Sequence, residues 1–311
     1  MFTPQQKGEF KGVGALVLTP FDENLQVDFE GLYHNVRYMI DNGLNASNGF
    51  LVAAGSMGEC YSMNMDEKKQ VIRTVVEAAQ DDIPVIAGCN SSSIVEVVEL
   101  ARYAEEVRAR AIMVVQPYYL SFGEDQIFSF YKFINDRVEV PIMIYNNPGV
   151  ANGSDMSVNL LKRLADLDRI FALKQATSNI KRFFDSAEEL SDKLLVFVAS
   201  SSLQPFGALA RTAGFFSSIA SFNPQLEIQI WEASRRGDYE AAYRYHRKEM
   251  MIYSWWWNGG VKQPNGEIVH VKKAMDLVGL RGGKVRPPLL PITEEEIEGL
   301  KKILREWGLL Q

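Results

Sequence analysis

Short apolar runs alternate with longer amphipathic segments eight times in succession, and no other feature of the chain restricts its fold so strongly. The runs lie at 13–18, 50–53, 84–87, 111–115, 142–145, 171–174, 194–199 and 214–217. They are apolar along nearly their whole length, as strands buried on both faces must be. Between them apolar residues recur at helical spacing, first as Phe29, Leu32, Val36, Met39 and Ile40, a helix that Gly43 ends. Val71, Ile72, Val75 and Val76 mark the second helix, and Val97, Val98, Ala101, Ala104 and Val107 the third, behind the N-cap candidates Ser91 to Ser93. Further helices are expected at 125–136, 158–167, 180–190 and 204–212. Eight βα repeats predict an α/β fold, a (β/α)8 TIM barrel. The competing open, doubly wound sheet needs a phosphate-binding glycine fingerprint after its first strand, and Gly12-Val13-Gly14 opens none.

After residue 222 the strand signal stops, and helices are expected at 225–235, 239–253, 269–277 and 294–307. Residues 1–222 are therefore read as the catalytic barrel, and 223–311 as its last helix and a C-terminal helical extension. Thr293 and Glu296 make a capping box for the final helix, while Arg286-Pro287-Pro288-Leu289-Leu290-Pro291 is expected to run as a rigid extended connector. Trp255, Trp256 and Trp257 precede Asn258-Gly259-Gly260, a turn sequence. For the three indoles, packing between extension and barrel is favoured over a subunit interface or a pocket wall.

Charge narrows the partner. With 33 Lys and Arg against 39 Asp and Glu, the net charge of −6 provides no basic footprint for nucleic acid or for an anionic membrane surface, so a small-molecule or protein partner is expected. The first ten residues hold no apolar signal core and no long apolar run occurs, which predicts a soluble, cytoplasmic protein. Cys60 and Cys89 read as reduced thiols, and His34, His246 and His270 show no metal-ligand spacing, so no metal is expected.

Four stretches end apolar runs where a barrel places its chemistry: Ala54-Gly55-Ser56-Met57-Gly58-Glu59, Gln116-Pro117-Tyr118-Tyr119, Ile144-Tyr145-Asn146-Asn147-Pro148 and Phe171-Ala172-Leu173-Lys174-Gln175-Ala176-Thr177. A lysine closing an apolar strand loses hydration, which disfavours the ammonium form and leaves an amine able to attack a carbonyl; a solvated cap is the other reading. Tyr145 and Lys174 are one βα unit apart, so they end neighbouring strands and the phenol can relay protons to the amine. Ser56 and Met57 can offer backbone N–H groups and one hydroxyl to a carboxylate, or simply make a tight turn. Tyr119 can extend a hydroxyl chain through Ser56, or pack at an interface.

Taken together these stretches resemble the dihydrodipicolinate synthase and N-acetylneuraminate lyase family of Schiff-base-forming barrels. Gly14 to Phe21 is similar to the opening strand and T-P-F turn; Gly55-Ser56-Met57-Gly58-Glu59 to the G-S/T-T-G-E signature; Pro117-Tyr118-Tyr119 to P-Y-Y; Tyr145-Asn146-Asn147-Pro148 to Y-N-x-P. Lys174-Gln175-Ala176-Thr177 resembles the lysine motif, Gly214-Phe215-Phe216-Ser217 the G-x-I-S strand, and Arg286-Pro287-Pro288-Leu289 the C-terminal R-P-P-L. The resemblance spans residues 11–292 in order and spacing.

It implies an imine between Lys174 and pyruvate or another 2-oxo acid, without metal or organic cofactor, and Tyr145 as proton shuttle. Ser56 and Tyr119 match the relay hydroxyls; in the synthases this tyrosine comes from a neighbouring subunit, so a homo-oligomer, tetramer or dimer, is implied too. Gly55, Met57, Phe216 and Ser200 are the candidate substrate-binding residues. The implied activity is a lyase, aldolase or dehydratase; a 4-hydroxy-tetrahydrodipicolinate synthase using pyruvate and aspartate semialdehyde is the alternative, and a non-catalytic 2-oxo-acid-binding barrel the rival of another class.

Three departures bear on the second substrate. The synthases carry an arginine shortly after Y-N-x-P that holds the aldehyde's carboxylate, but Val150 and Ala151 stand there, with no basic residue between Tyr145 and Lys162. Losing such a charge-assisted bond costs about 1.5 to 3 kcal/mol, which argues against aspartate semialdehyde. Met57 replaces a hydroxyl of the signature. Ala199-Ser200-Ser201-Ser202 stands where acidic residues meet a sugar acid, and neither late loop looks like a phosphate grip.

Overall fold

All eight apolar runs form strands in the computed structural model, which describes residues 8–311. Gly12–Leu16 (β1), Gly49–Ala53 (β2), Val85–Gly88 (β3), Ala111–Val115 (β4), Ile142–Asn146 (β5), Ile170–Gln175 (β6), Leu195–Val198 (β7) and Gly214–Ser217 (β8) pair in chain order, each parallel to the next. β8 returns to β1, with Gly14 opposite Phe216, and the barrel closes. Parallel neighbours require crossovers. These are Phe29–Asp41 (α1), Met65–Ala79 (α2), Ile94–Glu106 (α3), Glu124–Asn135 (α4), Val158–Ala165 (α5), Ile180–Leu190 (α6) and Gln204–Leu209 (α7).

Boundaries move by a few residues for local reasons. β3 starts at Val85 because Pro84 has no N–H for the ladder, although its carbonyl still accepts from Leu51. β1 stops at Leu16, two residues before its apolar run ends, as the chain turns to bring the Thr19 hydroxyl onto the Gly58 carbonyl at 2.8 Å. Helix starts follow the capping residues: Asn64, Ser93, Ser157 and Thr293 each accept a first-turn N–H, an arrangement worth about 1 kcal/mol per cap.

Inside the barrel an aromatic layer supports the site. The Phe50 ring meets Phe197 at 5.2 Å and Phe216 at 5.6 Å, both edge to face, while Phe10 lies 5.0 Å from Phe171. Gly14 makes that layer possible, since a Cβ there would stand 2.8 Å from both Phe50 and Phe216.

Four helices follow β8: Pro224–Arg235 (α8), Tyr239–Trp255 (α9), Glu267–Leu277 (α10) and Glu294–Glu306 (α11), the last with the expected Thr293–Glu296 capping box. The connector at 286–291 does not run extended. Its Pro287–Pro288 bond is cis, and Leu289 N–H donates to the Arg286 carbonyl at 3.2 Å, so the chain turns. Arg286 itself is bound by the barrel, donating to the Leu25 and Ser62 carbonyls and to Glu67, with its guanidinium 4.2 Å from the Phe21 ring centroid. Among the described residues no helix is long and apolar enough to cross a membrane. Of the N-terminal stretch read for a signal core, residues 1–7 lie outside the described residues.

Candidate active site at the carboxyl end of the barrel

β5 and β6 pair in a register that sets Tyr145 opposite Lys174 and Asn146 opposite Gln175. In a parallel pair, opposed residues point to the same side, so the phenol and the amine come together at the barrel mouth. Lys174 is buried, its Nζ 4.0 Å from the Tyr145 ring centroid and 4.4 Å from that of Phe216. Burial against these rings, only partly opposed by the nearby Cys60 thiol, lowers the amine to about 7. Tyr145 moves the other way. Burial raises its phenol to about 12, against hydrogen bonds from Asn147 and Ser56. The Asn147 side-chain amide donates to the phenol oxygen at 2.7 Å.

The strand ends are held by side-chain amides gathered around the Asp155 carboxylate. Asn146 donates to Gln175 Oε1 at 2.7 Å and to Asp155 Oδ1 at 2.8 Å, and Gln116 donates to Asn146 Oδ1 at 3.2 Å. Gln116 also accepts the Asn147 N–H at 3.1 Å, and Thr177 donates to Asp155 at 2.8 Å. The polar residues flanking Tyr145 and Lys174 thus lock β4, β5 and β6 to one another, leaving the two central groups free for chemistry.

A cavity of about 1130 Å³ opens above them. Lys174, Tyr145, Ser56, Met57, Phe216 and Ser200 all line it, as does Val150, one of the two residues read against the synthases' arginine. Gly55 does not: it is buried beneath the turn, where its carbonyl accepts the Cys60 N–H at 3.3 Å. Tyr119 does not either, being 80% exposed, whereas its neighbour Tyr118 does line the cavity. The turn at Gly55 to Gly58 is tight because a Cβ on Gly58 would meet the Val17 carbonyl at 2.8 Å.

The extension supplies walls that sequence reasoning assigned elsewhere. Trp255 packs inside the extension rather than between extension and barrel, its indole edge to face with His270 at 5.1 Å. Trp256 is buried and lines the cavity, and Trp257, 60% exposed, lines it too, together with Tyr253, Lys262 and Glu267. Favouring packing for all three indoles therefore needs correcting for Trp257 and, in part, for Trp256. Nothing local in the sequence signals that α9 ends over the mouth. Asn90 and Cys60, which line the cavity as well, follow β3 and the glycine turn, and their positions just past strand ends were the available clue. Both cysteines are free and buried.

The chain matches the model of the dihydrodipicolinate synthetase family over residues 9–307. It is similar to the 4-hydroxy-tetrahydrodipicolinate synthase of Archaeoglobus fulgidus, 31% identical over 301 residues that cover 97% of this chain and 99% of the relative. Among solved structures it resembles dihydrodipicolinate synthase from Aquifex aeolicus, with a TM-score of 0.88 and 26% identity over 96% of this chain and 98% of the other. The chloride-inhibited enzyme of Acinetobacter baumannii, complexed with pyruvate, gives 0.87 and 27% over 97% and 100%. A parallel barrel closed in chain order, a lysine and a tyrosine opposed on neighbouring strands, and a match along almost all its length place this chain in the dihydrodipicolinate synthetase family.

Proposed function

We propose that the protein is a Schiff-base-forming lyase that joins or releases pyruvate, or another 2-oxo acid, through an imine on Lys174. The observation that carries this reading is the buried Lys174 amine, held near 7 and facing the Tyr145 phenol at the barrel mouth. A free amine attacks the ketone carbon, the carbinolamine loses water, and the protonated imine draws electrons from the adjacent carbon, so that an enamine forms there. Tyr145 holds its proton at neutral pH and hands it between oxygen and nitrogen, with Ser56 beside it as the next hydroxyl. The backbone N–H groups of Ser56 and Met57 are assigned to the substrate carboxylate. Tyr119, exposed on its loop, is assigned to the site of a second subunit, which makes the working form a homo-oligomer. No metal or organic cofactor enters these steps.

Trapping tests it. Pyruvate with cyanoborohydride should add to the Lys174 peptide, and its absence there by mass analysis would sink the reading. The rate should rise about tenfold between about pH 6 and pH 8 and then level off, because the free amine attacks and half of it is present near 7. An unperturbed lysine would instead climb about a hundredfold across that interval without a plateau.

Tyr145→Phe should lower turnover by about a hundredfold or more while the Lys174 adduct still forms on long incubation. Steady-state kinetics beside the trapping assay separates the two effects. Loss of the adduct itself would mean that Tyr145 builds the site rather than moving protons.

The second reading, 4-hydroxy-tetrahydrodipicolinate synthase, is supported by the name of the Archaeoglobus relative and opposed by Val150 in the cavity wall. A coupled assay with pyruvate and aspartate semialdehyde decides it.

A further inference from the structure

The three consecutive tryptophans do not share one task. Trp255 is clamped: a Cβ on Gly260 would lie 2.4 Å from its ring, and one on Gly299 2.5 Å, so two glycines form a slot for this indole. With Trp255 fixed, the chain passes through a π-helical turn, Trp256–Gly260, in which Gly259 takes φ +90, a conformation that side chains resist. The turn places the next two indoles at the cavity. Tyr253 stands perpendicular to Trp256 with centroids 5.1 Å apart and is inclined by 32° to Trp257 at 6.0 Å, which makes one continuous aromatic wall. Trp257 keeps 60% of its surface exposed at the rim, a costly arrangement for an indole that only packs.

Charge at the same rim is balanced. Among the described residues the cavity lining holds, apart from Lys174, one cation, Lys262, and one anion, Glu267. Lys262 makes an exposed ion pair with Glu295 at 3.6 Å, which offsets part of its charge, while Glu267 acts electrostatically on both Tyr145 and Tyr253 from inside the cavity. A carboxylate on the incoming aldehyde would meet Glu267 and no arginine.

Building on the Schiff-base reading, we propose that Trp257, with Tyr253 and Trp256, is the platform for an uncharged aromatic ring on the second substrate, so that the aldehyde exchanged with pyruvate carries a ring and not a carboxylate. In the cleavage direction a 4-aryl-4-hydroxy-2-oxobutanoate condenses at C2 with the Lys174 amine and loses water. Its 4-hydroxyl gives up a proton, the C3–C4 bond breaks, and that electron pair enters the iminium to leave an enamine and a free aromatic aldehyde. The enamine is protonated at C3, and water hydrolyses the imine to pyruvate and the lysine amine.

The test compares 4-hydroxy-2-oxo-4-phenylbutanoate with 4-hydroxy-2-oxopentanedioate, in which a carboxylate replaces the ring, by pyruvate release from the full-length protein. The phenyl substrate should have a kcat/KM at least about tenfold higher; Trp257→Ala should lower that ratio about tenfold, and Trp257→Phe should restore most of it. Trapping of pyruvate on Lys174 should stay within about twofold in both variants. A preference for the dicarboxylate overturns the proposal. So does a ratio unmoved by Trp257→Ala, including the case where that variant changes only the subunit number. If the wild-type protein traps no pyruvate, the Schiff-base reading falls and this proposal with it; a normal trap with an unmoved ratio removes the platform alone.

Discussion

Lys174→Met is expected to abolish turnover and to make the protein more stable. The loss follows from the chemistry, since the variant has no nitrogen to form the imine; turnover should fall at least about ten-thousand-fold, with no adduct under trapping conditions. The gain follows from burial. Lys174 sits among Tyr145 and Phe216 with its amine lowered to about 7, so at neutral pH folding strips protons that the unfolded chain would keep. The native state binds fewer protons between about 7 and the ordinary lysine value, so that stability rises with pH across this window and the penalty is largest at and below neutrality. Methionine has a similar length and no charge to desolvate, and roughly 2 to 4 kcal/mol should return at neutral pH, shrinking as the pH rises above about 7 and gone above about pH 10. Urea denaturation at several pH values reads this directly. A destabilised Lys174→Met variant would show that the amine is held by favourable interactions and not by enforced desolvation.

Glu59→Ala should be the most damaging change outside the chemistry. Glu59 and Lys272 are both fully buried, with Nζ 2.5 Å from Oε1. The ammonium also donates to the Lys284 carbonyl at 2.5 Å, and the second carboxylate oxygen accepts the Arg286 N–H at 3.2 Å. Burial lowers the Lys272 amine, and the carboxylate opposes that shift, so removing Glu59 strands a cation in the interior. The expected cost is about 3 to 5 kcal/mol. A melting temperature lower by about 5 to 8 °C would register it. Glu59→Gln combined with Lys272→Met should recover most of the loss, because the charge and its partner leave together. If the double variant is as unstable as Glu59→Ala, the contribution of Glu59 lies in the strained turn it ends, where its φ is +55, and not in the ion pair. The pair matters for function because Glu59 closes the turn carrying Ser56 and Met57, whereas Lys272 belongs to α10; it ties the site's loop to the extension.

The barrel was legible because each strand is buried on both faces, by helices on the outside and by the side chains that fill the barrel on the inside. The requirement falls on consecutive residues and leaves an uninterrupted apolar run, as at Ala111–Val115. Lys174 and Tyr145 were legible for a related reason: a polar residue closing such a run has one place to go, and two of them one βα unit apart share a barrel mouth. Tyr119 shows where this reasoning stops. Motif position made it a relay candidate, but within one chain its ring points to solvent and Tyr118 faces the cavity. Adjacent residues in a loop follow no fixed alternation, so spacing could not choose between them.

By itself, then, the sequence determined the (β/α)8 barrel, the strand end that carries the amine and the phenol opposite it, all consequences of local periodicity and of one repeated unit. Only the tertiary structure decided what surrounds that amine. Tyr253, Trp256 and Trp257 reach the mouth because α9 ends at the cavity, Gly260 and Gly299 leave a slot for Trp255, and Gly259 turns the chain after the indoles. Those contacts join residues far apart in the chain, where side-chain volume and backbone freedom choose the partner and no repeat records the choice.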